Sequence, residues 1–270
     1  MRLALVALAA TVAIPVGAQA QVATGKMKWA GAGNSFGWWW QTSTGTRNVM
    51  GGAAYRATLN ITPAPSPSWM WPTSASGTAF GPAVDIYCID FLHNAKTSST
   101  GYNAYFTKLT AASFADPSAV NTRSGDLTRY LKAAWLITKM NTFGTSTVSD
   151  RYKRADIHAA IWWIMSGEPT ATSTNGTDGS YAAVGSSGVP NWLSQANVNY
   201  TSINGDEWTV VTDACVTTGG TAGQGATAVD ACSQEFLTQN VVPEPATMIL
   251  LGTGLLATLA VAGVFWRPEA

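Results

Sequence analysis

The sequence predicts an α+β protein: a β framework with an inserted helix pair, followed by one C-terminal transmembrane helix. Three observations predict it. Tyr55, Ala57, Leu59 and Ile61 alternate with Arg56, Thr58 and Asn60, the period of a strand with one buried face. Residues 126–140 and 149–165 carry apolar side chains at helical spacing, and each stripe is one face of a helix. Residues 246–266 contain no charged residue. About 20 apolar residues at helical rise cross a bilayer, and only a helix satisfies its own backbone there.

The elements follow in order. Met1 and Arg2 precede an apolar run over 3–16, and Ala18, Gln19 and Ala20 follow it. A basic start, a short apolar run and an Ala-x-Ala site predict a secretory signal peptide over 1–20, cut after Ala20 so that the mature chain begins at Gln21. Residues 21–50 are rich in Gly and Trp. After the strand at 55–61, prolines 63, 65 and 67 make a loop. A second strand is expected at 84–90, with Val84, Ile86, Cys88 and Asp90 on one face. Residues 94–124 read as polar and irregular, and His93 as a surface residue.

The first helix should start at an Asp126 cap and pack through Leu127, Tyr130, Leu131, Ala134, Trp135 and Thr138. Ser149 is the expected cap of the second, with Asp150 favourable in its first turn. Its stripe is Tyr152, Ala155, Ala159 and Trp162, with Ile157, Ile161 and Ile164 beside it. Gly167 stops it and Pro169 prevents its return. A polar loop over 170–188 leads to strands at 208–212 and, weakly, 235–242. Strands, then helices, then strands give the α+β class.

Only 11% of residues are charged and the formal net charge is zero. That composition argues against nucleic acid as a partner, which demands a basic footprint. The three cysteines are Cys88, Cys215 and Cys232. Cys215 and Cys232 flank a Gly/Thr/Ala-rich loop, and a disulfide between them would stabilise the domain by about 3 kcal/mol through its unfolded state. Cys88 is then left over, which in an exported protein merits attention.

The C-terminal stretch combines Val242, Pro243, Glu244 and Pro245, the apolar segment 246–266, and Arg267. This resembles the PEP-CTERM sorting signal of exopolysaccharide-producing bacteria, with residues 242–270 as the signal. The resemblance implies two partners, signal peptidase at the front and an exosortase in the membrane at the back. It implies a protein anchored in the inner membrane before sorting, then placed at the cell surface or in the matrix. The family usually ends in a basic cluster, whereas here Arg267 stands alone before Pro268, Glu269 and Ala270. A plain tail anchor is the other reading.

The ectodomain, 21–241, carries a second resemblance. Tyr87, Cys88, Ile89 and Asp90, followed by a helix holding Ile157, His158, Ala159, Ala160, Ile161 and Trp162, is similar to the bacterial thioester domain. In that family a strand cysteine and a helix glutamine join in an internal thioester. Here His158 occupies the glutamine position, and imidazole has no acyl carbon, so Cys88 and His158 are expected to be neighbours and chemically quiet. A Cys–His nucleophile pair, a half-built metal site and a buried cysteine beside a core histidine are the readings open from the residues alone.

Trp38, Trp39 and Trp40 are candidates for sugar stacking; core packing is the alternative, because Trp buries much area. Alternation on a strand sends Trp38 and Trp40 one way and Trp39 the other. Residues 174–179 hold oxygen ligands without EF-hand spacing. No catalytic residue, cofactor or metal is assigned. The expected role is adhesive or structural, at a surface or in an exopolysaccharide matrix, with a carbohydrate-binding module and a Cys88/His158 enzyme as rivals.

Overall fold

In the computed structural model, residues 22–33, 36–62, 80–95, 97, 100–116, 121–173, 181–183, 191–215 and 232–240 are described. The expected signal peptide with Ala18, Ala20 and Gln21, the expected sorting signal with Val242, Pro243, Glu244, Pro245 and Arg267, and the 174–179 segment lie outside them. No helix among the described residues is long and apolar enough to cross a membrane.

The α+β class holds. Six strands close an antiparallel barrel: β1 (Val22–Gly31), β4 (Tyr55–Thr62), β5 (Ala83–Cys88), β10 (Phe236–Gln239), β9 (Trp208–Asp213) and β6 (Tyr102–Lys108), which returns to β1. A smaller sheet holds β3 (Gly45–Gly51), β2 (Phe36–Thr42), β7 (Ala171–Ser173) and β8 (Tyr181–Ala183), in that order. Among the described residues three α-helices complete the fold: α1 (Leu127–Met140), α2 (Val148–Ser166) and α3 (Trp192–Asn199). The alternation of 55–61 is realised in β4, where Tyr55, Ala57, Leu59 and Ile61 are all buried.

The core has two parts, and β5, β9 and β10 divide them. Ile86, Cys88, Val211 and Phe236 join Met27, Leu59 and Phe106 in one cluster, which continues into Trp40, Phe91 and Trp162. Tyr87, Val210 and Leu237, one residue out of phase, join the other cluster with Tyr130, Leu136, Ile157 and Trp192. These three strands are therefore apolar on both faces, because helices cover the outer one. Helix α2 serves both clusters: Ala155, Ala159 and Trp162 pack on one side, Ile157, Ala160 and Ile161 on the other. That is why two apolar stripes were visible on it.

Asp126 caps α1 as expected, its carboxylate accepting from Thr128 N at 2.8 Å. For α2 the cap is Thr147, whose hydroxyl accepts from Asp150 N at 3.1 Å. The helix therefore begins at Val148, and Ser149 lies inside it rather than capping it. Gly167 ends it at φ +76°, a left-handed turn that glycine adopts without a Cβ penalty.

Other expectations need correcting. The 94–124 stretch is not wholly irregular, since it contains β6. The second strand ends at Cys88, so Asp90 follows β5 instead of lying on it. The 170–188 loop begins and continues with the short strands β7 and β8. His93 is buried, its Nδ1 2.7 Å from Asp90 Oδ2. The expected disulfide is present between Cys215 and Cys232.

Candidate functional site

The fold brings Cys88 and His158 together. Cys88 is the last residue of β5, and His158 lies mid-way along α2, where the helix crosses the end of that strand. Both are fully buried. The contact runs through the backbone of Cys88 and not through its sulfur: His158 Nε2 lies 2.7 Å from the Cys88 carbonyl oxygen. On the other side of the ring, Nδ1 accepts from Gly52 N–H at 2.7 Å. Acceptance at Nδ1 leaves the ring proton on Nε2, which donates to the carbonyl. Trp162 Nε1 donates to the same carbonyl at 3.1 Å, and its ring lies 4.1 Å from the imidazole, centroid to centroid. The Cys88 thiol donates instead to Asp90 O at 3.3 Å.

His158 is thus a two-ended clip. It joins the β3–β4 connection to the end of β5, and neither nitrogen is left to take a proton from the thiol. Arg154, one turn earlier, extends the clip. Its Nε donates to Gly52 O, and one terminal nitrogen donates to Met140 O and Phe143 O, each at 2.7 Å. Gly52 is therefore held at its N–H by His158 and at its carbonyl by Arg154.

Glycine is required next door for a steric reason. A Cβ at Gly51 would stand 2.9 Å from Trp162 Cη2 and 3.2 Å from His158 Nδ1. Neither ring can retreat, because each is hydrogen-bonded and packed in the core. Gly51→Ala is expected to cost about 2 kcal/mol through overpacking, read as a drop in the urea midpoint at unchanged slope. A midpoint at or above that of the native protein would refute the steric account.

Burial, the first cause, draws the His158 pKa down from 6.5 to about 4; the Cys88 carbonyl opposes this and the Arg154 charge adds to it. A depressed histidine contributes stability that is complete above pH 6.5 and is lost as pH falls through 4, about 3 kcal/mol in all. Asp156, two residues away, runs the other way: burial raises it from 3.8 to about 6. Its contribution is complete below pH 3.8 and is lost as pH rises through 6, again about 3 kcal/mol. The two slopes oppose each other between pH 4 and 6. Asp156→Asn is expected to unmask the histidine: the variant loses stability on acidification from pH 6.5 to 4 more steeply than the native chain. Urea titrations at several pH values measure this, and parallel slopes would count against it.

A second buried polar cluster was not foreseen. Asp90 Oδ2 lies 2.7 Å from both His93 Nδ1 and Arg123 Nε. Arg123 also reaches Ser233 O through its guanidinium. Glu235, at 1% exposure, accepts from Tyr130 OH at 2.8 Å, Thr212 Oγ1 at 2.7 Å and Arg123 N at 2.9 Å. Burial is the main cause that raises its pKa.

Of the tryptophan triplet, Trp40 is fully buried, edge-on to Trp162 with centroids 4.9 Å apart. It is a core residue and not a sugar platform: β2 turns it into the cluster beside His158. Trp38 and Trp39 lie on β2 opposite Val49 and Asn48, and their side chains are outside what is described. Among the described residues, no group of three or more His, Cys, Asp or Glu side chains is placed to hold a metal ion. Neither family models nor curated proteins nor solved structures give a match to the chain.

Proposed function

We propose that this chain is an exported, membrane-targeted protein of the cell surface or exopolysaccharide matrix, sorted through its C-terminal signal, with an adhesive or structural ectodomain. One observation carries the reading: Val242, Pro243, Glu244 and Pro245 stand directly before a charge-free segment at 246–266 that ends in Arg267. An apolar run of that length suits a bilayer, and the rigid Pro-Glu-Pro gives a processing enzyme an extended segment to grip. The Cys215–Cys232 disulfide supports an oxidising compartment outside the cytoplasm.

The junction at His158 supports a non-catalytic role. Both imidazole nitrogens are occupied by backbone groups, at 2.7 Å each, so the thiol of Cys88 has no base there. The arrangement fixes three segments of backbone and suits a domain whose task is to stay folded at a surface.

The test is the intact mass of the native protein from its host, before and after reduction. A chain that begins at Gln21 and ends between Pro243 and Pro245 is the expected product. A chain that retains Arg267 to Ala270 would replace sorting with a permanent anchor. The resemblance to thioester domains has a separate test in His158→Gln. If the two positions correspond, the Cys88 thiol displaces the new side-chain amide, a C–S bond forms, and ammonia leaves. The variant would then lose one ammonia in mass and the Cys88 thiol together. Full mass with an intact thiol would sink that resemblance and leave the sorting reading untouched.

A further inference from the structure

One end of the barrel holds a buried amine and a buried carboxamide on a single acceptor. Strands β6, β9 and β10 lie side by side there. Their register sets Lys108 opposite Thr209 and Thr209 opposite Thr238, two residues before Asn240. Lys108, Thr209 and Asn240 are 0%, 0% and 4% exposed. Over them sits the one-turn 3-10 helix Gly205–Glu207. Lys108 Nζ donates to the Asp206 carbonyl at 2.8 Å, and Asn240 Nδ2 donates to that same oxygen at 3.2 Å. The Asn240 side-chain oxygen accepts from Thr209 Oγ1 at 3.3 Å, and its backbone N–H donates to Glu207 O at 2.7 Å.

We propose that Lys108 and Asn240 are the two halves of an intramolecular amide cross-link, formed by the folded chain itself. The parts match the reaction. An amine attacks only when unprotonated, and burial draws Lys108 down to about 7, against the opposing charge of Asp206. Near neutral pH a large fraction of it is therefore the free amine. The Nζ lone pair adds to Asn240 Cγ, and a C–N bond forms. The oxygen of that carbon gains charge, and the Thr209 hydroxyl already donates to it. The Cγ–Nδ2 bond then breaks. One Nζ proton passes to Nδ2, which leaves as ammonia, so nothing is oxidised or reduced and no co-reactant is needed. The Asp206 carbonyl holds both nitrogens on one oxygen, which keeps donor and recipient of that proton adjacent. Burial keeps water from competing for the carbon.

The link would close the chain covalently from residue 108 to residue 240, around all three helices. It does not depend on the sorting reading. The experiment is intact-mass and peptide mass spectrometry on the reduced full chain. The expected result is a mass short by one ammonia, and a branched peptide joining the Lys108 and Asn240 segments. Lys108→Arg and Asn240→Ala should each restore the missing ammonia. An unbranched Lys108 peptide, or an ammonia loss that maps to the amino-terminal Gln21, would overturn the proposal. Should either variant fail to fold, the branched peptide in the native chain decides alone.

Discussion

Replacing His158 with alanine is expected to cost about 3–5 kcal/mol, a large share of the roughly 5–15 kcal/mol that holds an ordinary domain folded. The loss has three parts. Gly52 N–H loses its acceptor and the Cys88 carbonyl keeps only Trp162 of its two donors, and a stranded buried donor costs about 1–3 kcal/mol. The ring's contact with Trp162, at 4.1 Å between centroids, disappears. A void opens between β5 and α2 in close-packed core. A His158→Gln chain that retains its ammonia separates these effects, since the intact amide has a donor and an acceptor for the same two groups. It should recover about half of the loss. Chemical denaturation of both variants against the native chain measures the difference. If His158→Ala fell by less than about 1 kcal/mol, the clip would not be structural.

Glu235→Ala is expected to cost about 3–4 kcal/mol, because it strands three donors at once: Tyr130 OH, Thr212 OH and Arg123 N–H. These lie on α1, on β9 and in the 121–125 segment, so the carboxylate joins helix, barrel and loop. Glu235→Gln keeps an acceptor for Thr212 and Arg123, and its amide nitrogen can donate to the Tyr130 oxygen. That variant should stay within about 1 kcal/mol of the native chain at pH 5. The carboxyl's pKa is raised by burial, so its contribution is complete below 4.5 and is lost as pH rises through its folded value. Glutamine has no such slope. Its stability relative to the native chain should therefore improve as pH increases, and a relative decline would contradict the account.

Both helices were legible because their signals are local. Each signal sits within a turn of the helix end it marks, as Asp126 does at the start of α1 and Gly167 at the end of α2. The meeting of Cys88 with His158 was legible only through the resemblance, since 70 residues separate them. Strand β6 was hidden by its own inward face, which ends in Lys108. A lysine there breaks the apolar alternation that would reveal a strand. His93 had a signal in Asp90, three residues before it, which is the residue it pairs with. Glu235 had none: its partners lie 23, 105 and 112 positions away. Trp40 could not be told from its neighbours, because a run of identical residues contains no alternation.

Closure of the barrel has a consequence for assembly. In the closed strand order each of the six strands has a neighbour on both sides, so the barrel has no edge strand to offer to another chain. In the smaller sheet, β3 and β8 are outermost, and their outer N–H and C=O groups have no ladder partner within it. Among the described residues, these two rims are where strand-by-strand growth of copies into a fibre would begin. Cross-linking the barrel, by disulfide or amide, would leave that route open. Within the described fold, Gly45–Gly51 and Tyr181–Ala183 are the segments at which such growth would be restrained.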